Sequence, residues 1–224
     1  MLIDSEPIWE QVRRAYVSAQ GGHWLPDAQQ RLMGMSTAEW AGYLSVDLGV
    51  GRPPEEVAAA VVDEMRARYR EQLPLMRGAL EAVQRMGKHW RLGLASSSPR
   101  QLIEAVLDTA GIAGRFAVTV STDEVPRGKP APDVYLAASR HLGAHEQCAA
   151  VEDSTNGILA AVAAGLAVIA VPRPRYPPAS SALDQADAVL DSLTDLTAET
   201  IAALRNDKSA SAPPPPHPPS APFG

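Results

Sequence analysis

The chain has 224 residues, 46% of them hydrophobic but only 5% aromatic, with a formal charge of −6 and a pI near 5.4. That length buries one good core, or a core with a small accessory domain, built mostly from Ala, Val, Leu and Ile. The acidic balance without a basic patch argues against nucleic acid as the partner, and neither an apolar run of membrane length nor a basic–apolar–small leader is present.

The opening MLIDSEPIW places Asp4 and Ser5 as caps ahead of a helix entered through Glu6 and Pro7. From Ser5 to about Arg77 the pattern is helical throughout, with no convincing strand. Val57, Val61, Met65 and Tyr69 recur every fourth residue and predict one amphipathic face. Pro53 and Pro54 precede that helix, as a helix start allows.

From Trp90 onward short apolar runs alternate with helical segments. The runs Arg91–Ala95, Ala117–Val120, Ala149–Val151, Ala167–Val171 and Ala188–Leu190 predict strands. Arg100–Ala110, Asp133–Leu142 and Thr155–Ala164 predict helices between them. Such alternation implies a parallel sheet with helices on both faces. The last stretch, SASAPPPPHPPSAPFG from Ser209 to Gly224, reads as a disordered tail of polyproline II character, because its prolines can join neither a ladder nor a helix interior.

Ligands of open α/β sheets bind outside the carboxyl ends of the strands, and polar clusters follow several of the predicted strands. In LGLASSSPR, Ser98, Pro99 and Gln101 read as an N-cap, a first helical position and a capping-box partner. Ser96 and its neighbour Ser97 are left at the strand end, where a hydroxyl can donate to an anion near a helix N-terminus. In RGKPAPDVY, Lys129 is held between a glycine and a proline, with its backbone biased toward extended geometry. It is a point charge suited to phosphate; a solvated loop charge is the plainer reading of a lone lysine. In AAVEDSTNG, Glu152 and Asp153 are adjacent carboxylates leading into a helix. Two such groups repel and resist burial unless a cation or donors compensate. Hard oxygen ligands suit Mg²⁺, while charges interacting with the helix dipole are the alternative.

LASSSP, GKPAPDVY and VEDSTNG, in that order and spacing, resemble three successive motifs of the haloacid dehalogenase superfamily, and LIDSEPIW resembles the stretch just after its first motif. The resemblance covers Leu2 to about Leu204. It is nearest to β-phosphoglucomutase-like and sugar- or polyol-phosphate phosphatases with a helical cap. It implies an α/β fold, a Rossmann-like parallel-sheet core with a helical-bundle cap. Residues 1–4 would be a remnant of the first core motif, 5–77 the cap, 78–208 the core and 209–224 the tail. By the same resemblance Ser96, Lys129 and Glu152 would be catalytic, and Asp153 with Glu152 would hold Mg²⁺. Ser96, Ser97, Lys129, Gly34, Ser36, Trp9 and Asn156 would bind a small phosphate ester, Gly34-Met35-Ser36 being the substrate-facing loop.

The family's nucleophilic aspartate, its acid/base aspartate and its first strand would lie just before Met1. The chain as written is therefore expected to lack turnover, for which a start-site error or truncation would account. A hexose-phosphate mutase would be expected to carry a histidine early in the cap and an arginine after the substrate loop. Trp9 and Thr37 stand there, which favours hydrolysis. A metal-free dehalogenase is disfavoured by the Glu152–Asp153 pair, and a non-catalytic remnant is the reading from another class. His23, His89, His141, His145 and His217 lack ligand spacing and read as surface or packing residues. Cys148, the single cysteine, cannot form an internal disulfide. It reads as buried in a monomer of the reducing cytoplasm. Arg173 and Arg175 follow the strand ending at Val171 and could border the site, loop solvation being the plainer reading.

Overall fold

Proline and capping chemistry set the helix starts of the N-terminal half. A computed structural model of the protein describes residues 1–143 and 148–211, with side chains as far as residue 204. Helix α1 (Glu6–Ala19) carries Pro7 in its first turn. The Ser5 carbonyl accepts from the Ile8 and Trp9 amides, while the Ser5 side chain makes no cap bond. After the short α2 (Ala28–Leu32), α3 (Thr37–Val46) begins in a capping box. Ser36 N–H donates to the Glu39 carboxylate at 2.7 Å, and Ser36 Oγ accepts from the Glu39 N–H at 3.4 Å. Pro54 opens α4 (Pro54–Glu71), and the predicted face is the buried one: Val57, Val61, Met65 and Tyr69 are each no more than 1% exposed.

These four residues pack with Trp9, Val17, Trp40 and Leu44 in one buried cluster. Leu102 and Val106, from the second half of the chain, lie in the same cluster. The helical half is thus bonded to the α/β half through shared apolar burial, which favours a fixed seat over a loose tether.

In the second half, α5 (Ala79–Met86) leads into β1 (Leu92–Ser96), α6 (Arg100–Thr109), β2 (Phe116–Ser121) and α7 (Asp133–Leu142). Then follow β3 (Ala149–Glu152), α8 (Thr155–Ala163), β4 (Ala167–Ala170), α9 (Ser180–Leu183), β5 (Ala188–Val189) and α10 (Ala198–Ser211). All strand pairs are parallel, with Leu94 opposite Thr119 and Val151 opposite Ile169. The strands form two segments, β1–β2 and β3–β4–β5. Residues of β1 and β3 line a common cavity, and among the described residues no strand pairs with both of them there.

The expected capping of α6 by Ser98 is corrected. Pro99, in extended geometry, holds the N-cap position and the helix starts at Arg100. The Ser98 N–H donates to Ser96 Oγ at 3.1 Å, and its carbonyl accepts from Ser121 Oγ at 2.8 Å. Its polar groups tie the tips of β1 and β2 together instead of closing a helix end. The helix α10 runs three residues into the expected tail. The rest of that segment, with His145 and His217, lies outside the described residues. Among the described residues no helix is long and apolar enough to cross a membrane.

Candidate active site

The carboxyl tips of β1 and β3 and the loop before α7 converge on a cavity of about 1440 Å³. Ser96, Lys129 and Asp153 all line it, with Ser97 and Asn156 from the core and Trp9 and Gly34 from the helical half. Ser36 is not among its lining residues; its hydroxyl donates to the Glu39 carboxylate at 2.7 Å in the cap of α3.

Lys129 is the knot of the site. Its Nζ donates to the Ala95 carbonyl at 3.2 Å and to Glu152 Oε1 at 2.5 Å. It lies 4.9 Å from the centre of the Tyr135 ring. Both side chains of the Lys129–Glu152 ion pair are nearly out of solvent, at 7% and 6% exposure. Tyr135 OH donates to the same Glu152 oxygen at 2.5 Å, while the Asp153 amide and Ser154 hydroxyl donate to the other at 3.1 and 3.2 Å. Burial opposes ionisation of Glu152, but the Lys129 ammonium outweighs it and holds the carboxyl below its usual range. Burial and the Glu152 charge push the Tyr135 phenol well up, so it stays a donor. Only glycine fits at position 157, because a β-carbon there would collide with the Glu152 carboxylate.

This geometry revises the expected role of Glu152. With four donors on its two oxygens it is the anchor of Lys129, and its lone pairs are already engaged. Asp153 differs. Its Oδ2 lies 3.1 Å from the Met1 amino group and 2.9 Å from Arg173 Nε, yet it accepts no aligned hydrogen bond although buried. Burial alone would raise its pKa; the Met1 amine and Arg173 reverse that and hold it low. That oxygen is already paired with two cationic groups, and a hard cation would take it as a ligand only by displacing them. No group of three His, Cys, Asp or Glu able to hold a metal occurs among the described residues. Mg²⁺, which keeps waters and substrate oxygens, is the hard cation that a single carboxylate could serve.

Arg173 is also corrected. Far from solvated, it is 8% exposed and bridges Asp153 and Asp4, the latter at 3.1 Å. Arg175 stays largely exposed. His23, His89 and His141 are exposed, and Cys148 is half-buried in an apolar cluster.

Ser96 Oγ accepts from the Ser98 amide, which leaves its proton free to donate into the cavity. On the opposite wall Gly34, at φ +82°, meets Asn156 so closely that a β-carbon would strike the Asn156 amide. The loop between α2 and α3 is thereby seated on the first turn of α8, and Thr37 Oγ1 donates to Asp123 at 2.9 Å to fix it. Sequence reasoning missed Tyr135 as a partner of Lys129, though it closes the quoted GKPAPDVY run. It also missed Arg13, whose spacing of one helical turn from Trp9 was the available signal.

A parallel α/β enzyme with its polar groups at the strand tips and a helical cover is the class that the geometry defines. The chain belongs to the haloacid dehalogenase-like hydrolases, a family it matches over residues 2–165. Within it, the chain lies near the β-phosphoglucomutase-like proteins and sugar-phosphate phosphatases. It is 34% identical over 209 residues to hexitol phosphatase B of Escherichia coli K12, covering 90% of this chain and 92% of that one. It is 31% identical over 170 residues to the phosphorylated carbohydrates phosphatase of Thermotoga maritima, covering 74% and 78%. Its fold superposes on the β-phosphoglucomutase of Clostridium difficile with a TM-score of 0.78 at 19% identity, over 94% and 95% of the two chains.

Proposed function

We propose that this chain carries the substrate- and metal-holding machinery of a Mg²⁺-dependent phosphatase that hydrolyses small sugar or polyol phosphates through an aspartyl-phosphate. The observation that carries the reading is the convergence of Ser96, Lys129 and Asp153 on one cavity closed by the helical half. The sugar- and hexitol-directed names of the relatives supply the substrate class.

The residues divide the work by charge. Asp153 holds Mg²⁺, which when bound neutralises phosphate charge and orients the ester. Lys129, pinned by Glu152 and Tyr135, faces the phosphoryl oxygens as a fixed cation. Ser96 donates its free proton to the same group. Such preorganised donors stabilise charge that develops in transfer and need no reorganisation. The seated Gly34 loop limits bulk water.

The carboxylates that line the cavity are Glu6, Glu10, Glu152 and Asp153. Glu152 is saturated, Asp153 is the metal ligand, and Glu6 and Glu10 belong to α1. None of these four stands where the family resemblance puts the attacking aspartate and its acid/base companion, and a strand seated between β1 and β3 would supply them. On this reading residues 1–224 by themselves are expected to show no turnover. Fusing an apolar strand ending in Asp-x-Asp ahead of Met1 yields Mg²⁺-dependent phosphate release from a hexitol 6-phosphate. That activity falls by at least about a hundredfold in Lys129→Ala and Asp153→Ala. Hydrolysis of p-nitrophenyl phosphate by the unextended chain, dependent on Lys129 and Asp153, would refute the assignment of the nucleophile.

A further inference from the structure

The helical wall of the cavity carries a polar cluster that phosphate chemistry does not use. Arg13 is 5% exposed and lines the cavity together with Glu6 and Gln29. Its guanidinium carbon sits 4.3 Å from the centre of the Trp9 ring and 4.9 Å from that of Trp40. The two rings are 5.8 Å apart and tilted at 60°. They fix the plane of the guanidinium while consuming none of its N–H donors. Its Nε is buried and donates to no described residue. Burial lowers its pKa to about 10, so the group stays charged at neutral pH.

Beside it, Gln29 Nε2 donates to Glu6 Oε2 at 3.2 Å, and Gln29 Oε1 is buried without a partner. Burial pushes the Glu6 carboxyl up, against the pull of Arg13 and Arg173. The cluster thus offers a forked donor, a carboxyl and an amide acceptor. A buried polar group left unpaired costs on the order of 1–3 kcal/mol, and the Arg13 and Gln29 side chains that carry these atoms line the cavity.

We infer that Arg13, Glu6 and Gln29 are the specificity-determining contacts for the hydroxyl groups of a polyhydroxylated phosphate ester. The inference rests on the phosphatase reading and adds what selects its substrate. The charges of Arg13 and Glu6 balance, so the wall suits a neutral row of hydroxyls, which both donate and accept. A second phosphate would meet the Glu6 carboxylate and is disfavoured.

The test is calorimetric binding to the 224-residue chain with magnesium chloride present. The probes are a hexitol 6-phosphate, ethyl phosphate and fructose 1,6-bisphosphate. The hexitol ester is expected to bind at least about tenfold more tightly than ethyl phosphate, equivalent to one or two neutral hydrogen bonds. Arg13→Lys keeps the cation between the rings but loses the fork, and Gln29→Leu removes the amide. Each should cut the preference, read as the ratio of the two affinities within the same variant, to about twofold. Equal binding of both monoesters by the parent chain overturns this inference and leaves the phosphate site standing. So does retention of the preference in both variants, or tighter binding of the bisphosphate that depends on Arg13. Failure of every ester to bind overturns the phosphate-site reading and this inference with it.

Discussion

Lys129 and Glu152 show how much a single buried pair can fix. Each alone would be an expensive charge in an apolar surround, and together with Tyr135 and the Asp153 and Ser154 donors they are satisfied. Lys129→Met leaves Glu152 buried without its cation, and the loss is about 3–5 kcal/mol near neutral pH. The pH dependence follows from the sign of the shift. In the parent chain Glu152 is held below its usual range, so its contribution is present at neutral pH and is lost as pH falls through the lowered value. In the variant burial and the Asp153 charge are opposed only by the Tyr135, Asp153 and Ser154 donors, so the carboxyl rises relative to the parent and its protonated form is favoured. The deficit of Lys129→Met should therefore be larger at about pH 8 than at about pH 5 in urea denaturation. A deficit independent of pH would show that the pair is not what stabilises the site. The sequence made Lys129 visible through its GKPAPDVY context, and the two acidic neighbours because they follow an apolar run. It could not show which carboxylate faces the cation, since adjacent residues on an extended chain point to opposite sides.

At the scale of elements, legibility followed periodicity. The four-residue spacing in α4 named its buried face correctly, and Asp133–Leu142 was bounded at both ends because Pro132 and Gly143 punctuate it. The start of α6 at Arg100 was legible, but its cap was misread because three consecutive serines offer several caps, and Ser98 is engaged instead by the β2 tip through Ser121, which is distant in sequence. Sequence reasoning also gave no separate signal for α5, whose eight residues are too few for a period to stand out. The packing of α4 carries a quantitative expectation. Met65 is fully buried where α4 meets α1 and α6 in the shared cluster, so Met65→Ala should cost about 2–5 kcal/mol. Val46→Ala, at a site 77% exposed, should stay within about 0.5 kcal/mol. Thermal unfolding of both variants checks the contrast. Because the cluster includes Leu102 and Val106, Met65→Ala should unfold in one transition and not release the helical half first.

For the whole molecule the open question is electrostatic and topological at once. Parallel sheets are normally buried and continuous, yet here β1–β2 and β3–β4–β5 stand on either side of the cavity. Among the described residues their facing backbone groups have no ladder partner, each worth on the order of 1–3 kcal/mol when kept from water. Alternation along the sequence announced every strand, but order across the sheet depends on pairs far apart in the chain, which periodicity does not encode. An apolar strand fused ahead of Met1 should raise the denaturation midpoint and slow amide exchange in both β1 and β3. A scrambled extension with proline at alternate positions, which cannot donate to either edge, should do neither. Protection of β1 and β3 in the unextended chain equal to that in the fused one would mean that the two edges are already satisfied, and the slot would then have no claim to a strand. Protection that grows with protein concentration would instead identify a second copy as the occupant.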